Sequence, residues 1–237
     1  MERIKICGVG IDNLTKGDAV GRSLRGGGET CVVFTPNAVM LDACRRAPHL
    51  SALLNRASLS LPDGAGVLMA ARRQGTPLKE RIAGIEYAEA LLERAAREGL
   101  RVFLLGGKDG VAARAAENLR TRYPALCICG TAWGYFDQEG EENRQLLSRI
   151  RALRADVLFV CLGFPLQEEW IVNNLGALSG LRVVAGLGGS LDVWSGGIRR
   201  APAPISKMGL EWAWRMAREP KRLRQLPALV RFCVGRE

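Results

Sequence analysis

The stretch Cys31-Val32-Val33-Phe34-Thr35-Pro36-Asn37 joins a short apolar run to polar turn residues, and an amphipathic segment of helix length, residues 38–46, follows it. The same alternation of apolar runs and amphipathic segments recurs along the chain. This pattern is typical of βαβ units, whose strands are mainly parallel. We therefore predict an α/β fold with a mainly parallel, Rossmann-like sheet flanked by helices.

The apolar runs and the amphipathic segments give the positions of the expected elements. The predicted strands are residues 5–9, 31–34, 58–61, 102–105, 126–129, 157–162 and 183–185. The predicted helices are residues 16–24, 38–46, 65–73, 85–97, 111–122, 141–153 and 167–174. A chain of 237 residues, 48% of them hydrophobic, is long enough to bury one sizeable core.

The positive charge is concentrated near the C-terminal end of the chain. From residue 199 onward there are ten Lys and Arg against three Asp and Glu, so this part carries +7 of the formal net charge of +10. A nucleic-acid-binding protein would spread its basic residues over one face of the fold. We predict two parts instead, an α/β domain over residues 1–196 and a basic helical appendage over residues 197–237.

The composition also argues against several kinds of chemistry and location. With His49 as the single histidine, we expect neither a histidine base nor a multi-imidazole zinc site, so a general base would be a carboxylate. The seven cysteines form no Cys-x-x-Cys pair, which favours buried, reduced thiols. No run reaches the roughly 20 apolar residues of a spanning helix, and residues 1–5 lack a secretory segment, so we expect a cytoplasmic protein that is at most peripheral to a membrane.

Polar residues follow two of the predicted strands, where ligands bind in open parallel sheets. Thr35 and Asn37 follow residues 31–34, and their hydroxyl and amide groups can orient the hydroxyls of a ligand. Asn37 can equally cap the next helix, which is the interpretation that the residues alone favour. Asp63 follows residues 58–61 and can have a functional role there, or it can cap the helix that begins near residue 65.

Further candidates come later in the chain, each with an ordinary structural alternative. Arg81 can clamp a diphosphate with its forked donors, or it can be a solvated surface charge. Gln167 can contact a nucleotide or a sugar through its amide, or it can face solvent in a helix whose first turn holds Pro165.

A glycine-rich loop follows the last predicted strand. Gly188 and Gly189 can bring backbone N–H groups against a phosphate or a uracil ring. Asp192 can then accept a hydrogen bond from the nucleoside, or it can cap a short helix. The loop at residues 104–110 is a weaker candidate because it matches neither Gly-x-Gly-x-x-Gly nor a P-loop.

Eight groups of residues, taken together, resemble one known family. They are Thr35-Pro36-Asn37, Pro62-Asp63-Gly64, Arg81 with Gly84, Gly134-Tyr135-Phe136, Gly163-Phe164-Pro165 with Gln167-Glu168, Gly188-Gly189 with Asp192, Arg200-Ala201-Pro202, and Glu211-Trp212 with Arg215. In these motifs and their spacing the chain resembles the WecG/TagA/CpsF family of bacterial glycosyltransferases, from Ile4 to about Phe232.

The resemblance implies an inverting, metal-independent enzyme without a cofactor, in agreement with the absence of an Asp-x-Asp pair from the sequence. It implies transfer of N-acetylmannosamine from UDP-N-acetylmannosamine to N-acetylglucosaminyl-diphosphoundecaprenol, in wall teichoic acid or related surface polysaccharide synthesis. Within the family, N-acetylmannosaminuronic acid and glucose are alternative donor sugars. Members of the family can associate, so the resemblance also allows a homo-oligomer.

The resemblance also implies roles for individual residues. Asp63 matches the proposed general base. The implied substrate-binding residues are Thr35, Asn37, Arg81, Tyr135, Gln167, Gly188, Gly189, Asp192, Arg215 and Arg222. Without a metal ion, arginines would have to stabilise the charge on the leaving diphosphate. The family commonly has one more arginine at the position of Gln225, whereas here an arginine stands at position 224.

The basic tail has two interpretations. Its mixture of basic and apolar residues suits the interface of an anionic membrane, where each basic residue contributes about 1 kcal/mol. Its apolar side can instead pack on the core or on another subunit, and Pro227 is expected to break or restart its helix. Because the implied acceptor is a lipid, we favour a peripheral location on the inner face of the cell membrane.

Two hypotheses from other classes compete with the transferase. A nucleic-acid-binding module would use the basic tail, but the main domain lacks aromatic residues interleaved with basic ones. A nucleotide-dependent oxidoreductase would need a complete glycine fingerprint, which the chain does not have. We therefore expect no nucleic acid among the partners.

Overall fold

The computed structural model describes residues 3–25, 28–198, 202, 214, 223–224 and 226–234. Along the chain the elements are β1 (Arg3–Ile6), β2 (Val9–Asp12), α1 (Lys16–Ser23), β3 (Cys31–Phe34), α2 (Ala38–Arg46), α3 (Pro48–Leu54), β4 (Leu59–Ser60), α4 (Ala65–Arg73), α5 (Gly84–Glu98), β5 (Arg101–Gly106), α6 (Val111–Arg122), β6 (Cys127–Ala132), α7 (Glu141–Ala152), β7 (Val157–Cys161), α8 (Leu166–Asn173), β8 (Val183–Gly186), α9 (Ser190–Trp194) and α10 (Leu226–Val234).

The centre of the fold is a six-stranded sheet with the strand order β4-β3-β8-β7-β5-β6. Every neighbouring pair in this sheet is parallel. Helices cover both faces, because the apolar residues of each strand alternate between two buried clusters. The predicted α/β class with a mainly parallel sheet is therefore confirmed.

Each face of the sheet has its own core. On one face, α1, α5, α6 and α9 bury their apolar residues against the strands. On the other face lie α2, α3, α4, α7, α8 and α10 together with the β1–β2 hairpin. The neighbouring strands β3 and β8 send their following helices, α2 and α9, to opposite faces. A crevice for ligands is expected at such a switch point, between the two strand ends.

The predicted strand at residues 5–9 is wrong. The chain forms an antiparallel hairpin here, with β1 and β2 paired from Arg3 opposite Asp12 to Ile6 opposite Val9. Cys7 and Gly8 form the turn, with φ angles of 50° and 77°. Two successive residues with positive φ make the tight turn that fits the twist of a hairpin, so the apolar run is interrupted at its middle.

The predicted helices agree with α1, α2 and α4–α8 to within one residue at each end. The sequence analysis did not predict α3, α9 and α10 as separate helices. Pro227 is the second residue of α10, and proline is favoured in the first turn of a helix. Whether it breaks or restarts a preceding helix stays a prediction, because residues 215–222 and 225 lie outside the described part of the chain. Among the residues that the structure describes, no helix combines the length and the apolar content needed to span a membrane.

The last helix packs on the α/β core. Phe232 of α10 is 5% exposed and belongs to the same buried cluster as α2 and α4. Arg231 forms an ion pair of 3.0 Å with Asp42 of α2. The division into residues 1–196 and 197–237 stays a prediction, because most of residues 199–225 lie outside the described part of the chain.

Candidate functional site

The candidate site residues gather at the carboxyl edge of the sheet. Thr35 directly follows β3, and Asp63 lies three residues beyond β4. Gly188 lies two residues beyond β8, and Gln167 is the second residue of α8, which follows β7. Because β4, β3, β8 and β7 are neighbours in this order, the four residues form a continuous row across the switch point.

Asp63 connects two segments that are distant in the sequence. Its Oδ2 accepts a hydrogen bond of 3.2 Å from the backbone N–H of Gly84, the first residue of α5. The segment before Gly84 runs beside Asp63, since the Ile82 N–H donates to the Pro62 carbonyl at 2.9 Å. The alternative that Asp63 caps the helix at residue 65 is wrong, because Gly64 holds the N-cap of α4 without a side-chain hydrogen bond.

Thr35 lies between the glycine loop after β8 and the start of α5. Its hydroxyl is buried and donates to the Gly186 carbonyl at 3.4 Å. A Cβ atom at Gly84 would lie 2.9 Å from the Thr35 hydroxyl oxygen, which is closer than real Cβ atoms come to their neighbours. Gly84 therefore allows both the contact with Thr35 and the hydrogen bond to Asp63.

Asn37 caps α2. Its Oδ1 accepts from the backbone N–H groups of Val39 and Met40 at 3.0 and 3.1 Å. This arrangement satisfies two of the donors that a helix leaves unpaired at its start, so the capping interpretation is confirmed. The same hydrogen bonds fix the orientation of the Asn37 amide at the carboxyl end of β3.

Gln167 lies beneath the glycine loop and is 4% exposed. Its Oε1 accepts from the Gly188 N–H at 2.9 Å, and its Nε2 donates to Glu168 Oε1 at 2.8 Å. The alternative that Gln167 faces solvent is therefore wrong. The other oxygen of Glu168, Oε2, is buried and has no hydrogen-bond partner among the described residues. Burial raises the pKa of Glu168 to about 7.

Two charged candidates lie half-buried at the same edge. Arg81 pairs with Glu86 of the first turn of α5 at 3.0 Å, and both side chains are about one-fifth exposed. A freely solvated Arg81 is therefore excluded. Asp192 is the third residue of α9, whose N-cap is Gly189 without a side-chain hydrogen bond, so Asp192 does not cap that helix.

Tyr135 follows the strand farthest from the one that leads to Asp63. It follows β6, the edge strand opposite β4, which at about 4.8 Å per strand is roughly 24 Å from the strand that leads to Asp63. Its loop folds back over the sheet, because the Gly134 N–H donates to the Gly107 carbonyl at 2.9 Å. The Tyr135 ring is 64% exposed and lies 6.3 Å from that of Trp133.

The two arginines predicted in the tail, Arg215 and Arg222, lie outside the described residues. The described helix of the tail, α10, nevertheless lies close to Asp63. A Cβ atom at Gly66, three residues after Asp63, would be 3.7 Å from the Phe232 ring. The tail therefore returns to the edge of the sheet that carries the candidate site.

Sequence reasoning did not assign roles to Gly84 and Glu168. For Gly84 there was a signal: α5 begins after Arg-Ile-Ala, without a residue that can cap it, so the cap had to come from another segment. For Glu168 the signal was a carboxylate in the first turn of the helix that follows a buried strand. Within the described ranges, no group of three or more His, Cys, Asp or Glu residues could hold a metal ion.

Comparisons with known proteins agree with the motifs. The model of the family described as "Glycosyl transferase WecG/TagA/CpsF family" matches residues 4–235. A protein of Bacillus spizizenii (strain ATCC 23059 / NRRL B-14472 / W23) is 35% identical over 203 residues, which cover 86% of this chain and 77% of that protein. A protein of Staphylococcus aureus (strain MW2) is 34% identical over 200 residues, covering 84% and 77%.

Both relatives carry the name "N-acetylglucosaminyldiphosphoundecaprenol N-acetyl-beta-D-mannosaminyltransferase". Among solved structures, that of a 2,3-dimethylmalate lyase aligns over 88% of this chain and 90% of its own, at 16% identity. Its TM-score of 0.25 is too low to indicate a common fold.

Proposed function

This chain belongs to the WecG/TagA/CpsF family of glycosyl transferases, and we propose that it transfers N-acetylmannosamine from UDP-N-acetylmannosamine to N-acetylglucosaminyl-diphosphoundecaprenol. The observation that carries this proposal is the name of the relatives, which specifies both the transferred sugar and the acceptor. The reaction would serve wall teichoic acid or related surface polysaccharide synthesis.

Asp63 would be the general base. Its carboxylate takes the proton of the acceptor hydroxyl, whose oxygen forms the new bond to the anomeric carbon. The bond between that carbon and the diphosphate oxygen breaks, and UDP leaves with the electron pair, so the configuration inverts. The hydrogen bond from Gly84 supports this role because it fixes one carboxylate oxygen and thereby the direction of the other.

The donor would lie across the row from Asp63 to the glycine loop. Backbone N–H groups of a glycine-rich loop are suited to a diphosphate because no side chain blocks the approach. Thr35 and Asn37 would contact the sugar, Asn37 through its NH2 group because its oxygen caps α2. Gly188, Gly189 and Asp192 would contact the nucleotide.

Arginines would stabilise the charge that develops on the leaving UDP. Arg81 is supported by its position beside Asp63 and by its ion pair with Glu86, which restricts the side chain. Arg215 and Arg222 are proposed from the resemblance alone. Removal of one such contact is expected to lower turnover about 100- to 1,000-fold, as for other donors to a developing anion.

The tail would bring the enzyme to its lipid acceptor at the inner face of the membrane. Leu226, Val230 and Val234 of α10 are 38–76% exposed, and their spacing of four residues is that of one helical face. Leu223 and Arg224, which precede α10 in the sequence, are also exposed. An apolar row next to basic residues is the chemistry that binds an anionic membrane surface.

The experiment that tests the proposal measures UDP release by the purified protein. The substrates are UDP-N-acetylmannosamine and a lipid-diphosphate-linked N-acetylglucosamine, with EDTA present and Asp63→Asn as the control variant. We expect release that requires the acceptor and is lost in the variant. Release with another UDP-sugar in place of UDP-N-acetylmannosamine would mean that the enzyme uses a different donor. No release with any UDP-sugar would contradict the transferase.

A further inference from the structure

The orientation of the Gln167 amide follows from its two hydrogen-bond partners. The Gly188 N–H can only donate, so the atom of Gln167 that it meets must be the oxygen. The NH2 group is therefore turned away from the Gly188 N–H and donates to Glu168, whose Oε1 accepts at 2.8 Å. Glu168 therefore holds the NH2 group, so that the Gln167 amide is fixed at both ends rather than at its oxygen alone.

The glycine loop is held at two points. Gln167 holds the Gly188 N–H from below, and Thr35 donates to the Gly186 carbonyl. The amide of Gln167 also packs on Gly186, since a Cβ atom there would lie 3.0 Å from Nε2. A shift of Gln167 would therefore move the loop on which the proposed diphosphate contacts depend.

We propose that Glu168 is a positioning residue for the transfer reaction, which orients the Gln167 amide and through it holds the glycine loop of residues 186–189 in place. This inference rests on the proposed function. It also assigns Gln167 an indirect role, because both polar atoms of its buried side chain are already engaged within the protein.

Glu168 is poorly suited to a purely stabilising role. It is fully buried, at 0% exposure, and its Oε2 meets no donor in the described part of the chain. A buried oxygen without a partner destabilises a fold, and an apolar residue of similar shape is often tolerated or even favourable. The presence of a carboxyl group here is explained by the acceptor that it gives to Gln167.

Two substitutions separate positioning from stability. Glu168→Leu has a similar size but no acceptor, so kcat/KM for the UDP-sugar should fall about 10- to 100-fold, as expected for a misplaced binding group. The melting temperature should stay the same or rise, and KM for the lipid-linked acceptor should not change. Glu168→Gln keeps an acceptor oxygen and should retain wild-type kinetics. Glu169→Gln, at the neighbouring half-buried position, is the matched control.

Hydrogen exchange of the segment around Gly188 gives a readout that does not depend on activity. In Glu168→Leu, loss of the fixed amide should speed exchange there roughly tenfold, while Glu168→Gln and Glu169→Gln leave it unchanged. Should Glu168→Leu fail to fold, Gln167→Leu is measured instead and should have the same two effects.

The outcomes distinguish this inference from the proposed function. If the wild-type protein transfers sugar and Glu168→Leu does so equally well with unchanged exchange, the positioning role is wrong and the transferase stands. If the wild-type protein transfers nothing, the exchange measurement still decides whether Glu168 holds the loop. A Glu168→Gln variant as impaired as Glu168→Leu would overturn the proposed acceptor role.

Discussion

The Oδ2 atom of Asp63 lies 3.2 Å from the backbone nitrogen of Gly84, 21 residues further along the chain, and accepts its hydrogen bond. The Asp63 carboxylate, which follows β4, therefore caps the start of α5. This contact joins the proposed base to the scaffold. It also gives Asp63 a structural role that can be separated from the chemical one.

Asp63→Asn and Asp63→Ala should differ in stability but not in activity. The amide oxygen of asparagine can still accept from Gly84 but cannot take a proton, so turnover should fall by about 100-fold or more at unchanged stability. Alanine also removes the cap and should lower the free energy of unfolding by about 1 kcal/mol. Urea unfolding and UDP release measure the two effects. Normal turnover in Asp63→Asn would disprove the base assignment.

Gly84→Ala should displace Thr35, because the added Cβ would lie 2.9 Å from its hydroxyl oxygen. We expect lower stability, by about 1–3 kcal/mol as for other overpacked sites, and a reduced affinity for the UDP-sugar. Gly21→Ala in α1 is the matched control, since its Cβ meets nothing within 4 Å in the described structure. That control should gain about 0.5–1 kcal/mol. Equal melting temperatures and equal KM values for Gly84→Ala and Gly21→Ala would show that the contact between Gly84 and Thr35 is unimportant.

Glu168 should make the protein less stable as the pH rises. Its pKa in the folded protein, about 7, exceeds the ordinary value of 4.5 because burial disfavours the charged form, with a smaller contribution from Glu169. The stability is therefore fully present below pH 4.5 and is lost as the pH rises through 7. Relative to Glu168→Gln, the wild-type free energy of unfolding should fall by up to about 3 kcal/mol over this range.

Chemical unfolding at a series of pH values measures this difference. Burial raises the pKa of the nearby Cys44 thiol to about 12, so Cys44 does not titrate in this range. Glu169→Gln removes only the smaller cause of the raised pKa of Glu168, so it should shift the wild-type profile slightly at most. Parallel curves for wild-type protein and Glu168→Gln would mean that folding does not raise the pKa of Glu168.

The outer row of α10 should bind anionic membranes without stabilising the fold. Replacing the exposed Leu226, Val230 and Val234 with glutamine should weaken sedimentation with phosphatidylglycerol vesicles at least about tenfold and leave the melting temperature unchanged. Phosphatidylcholine vesicles are the control and should bind little of either protein. Equal binding of both proteins to the anionic vesicles would show that the outer row of α10 does not bind the membrane.

Phe232→Ala, in contrast, should lower the stability of the protein. The ring is buried against α2 and α4 near Gly66, so its removal should lower the free energy of unfolding by about 3 kcal/mol or release the helix. Either result can be followed by hydrogen exchange in α2. A variant with wild-type stability and exchange would show that α10 does not dock on the core in solution.

The sequence by itself determined most of the local structure. The alternation of strand and helix periods located the six strands of the sheet and seven helices, because these periods depend on residues that are close in sequence. Asn37 as a cap and Pro227 as a helix start follow from the same short-range rules. The turn at Cys7 and Gly8 was missed, since cysteine is not a residue that signals positive φ.

Only the tertiary structure decided which of these residues work together. The strand order β4-β3-β8-β7-β5-β6 puts Thr35, Asp63, Gln167 and Gly188 in one row and leaves Tyr135 near the opposite edge. The hydrogen bonds from Gly84 to Asp63 and from Gly188 to Gln167 then depend on how α5 and α8 pack on the two faces. Local propensity cannot encode such pairings, because the free energy that selects them comes from burying both faces of the sheet at once.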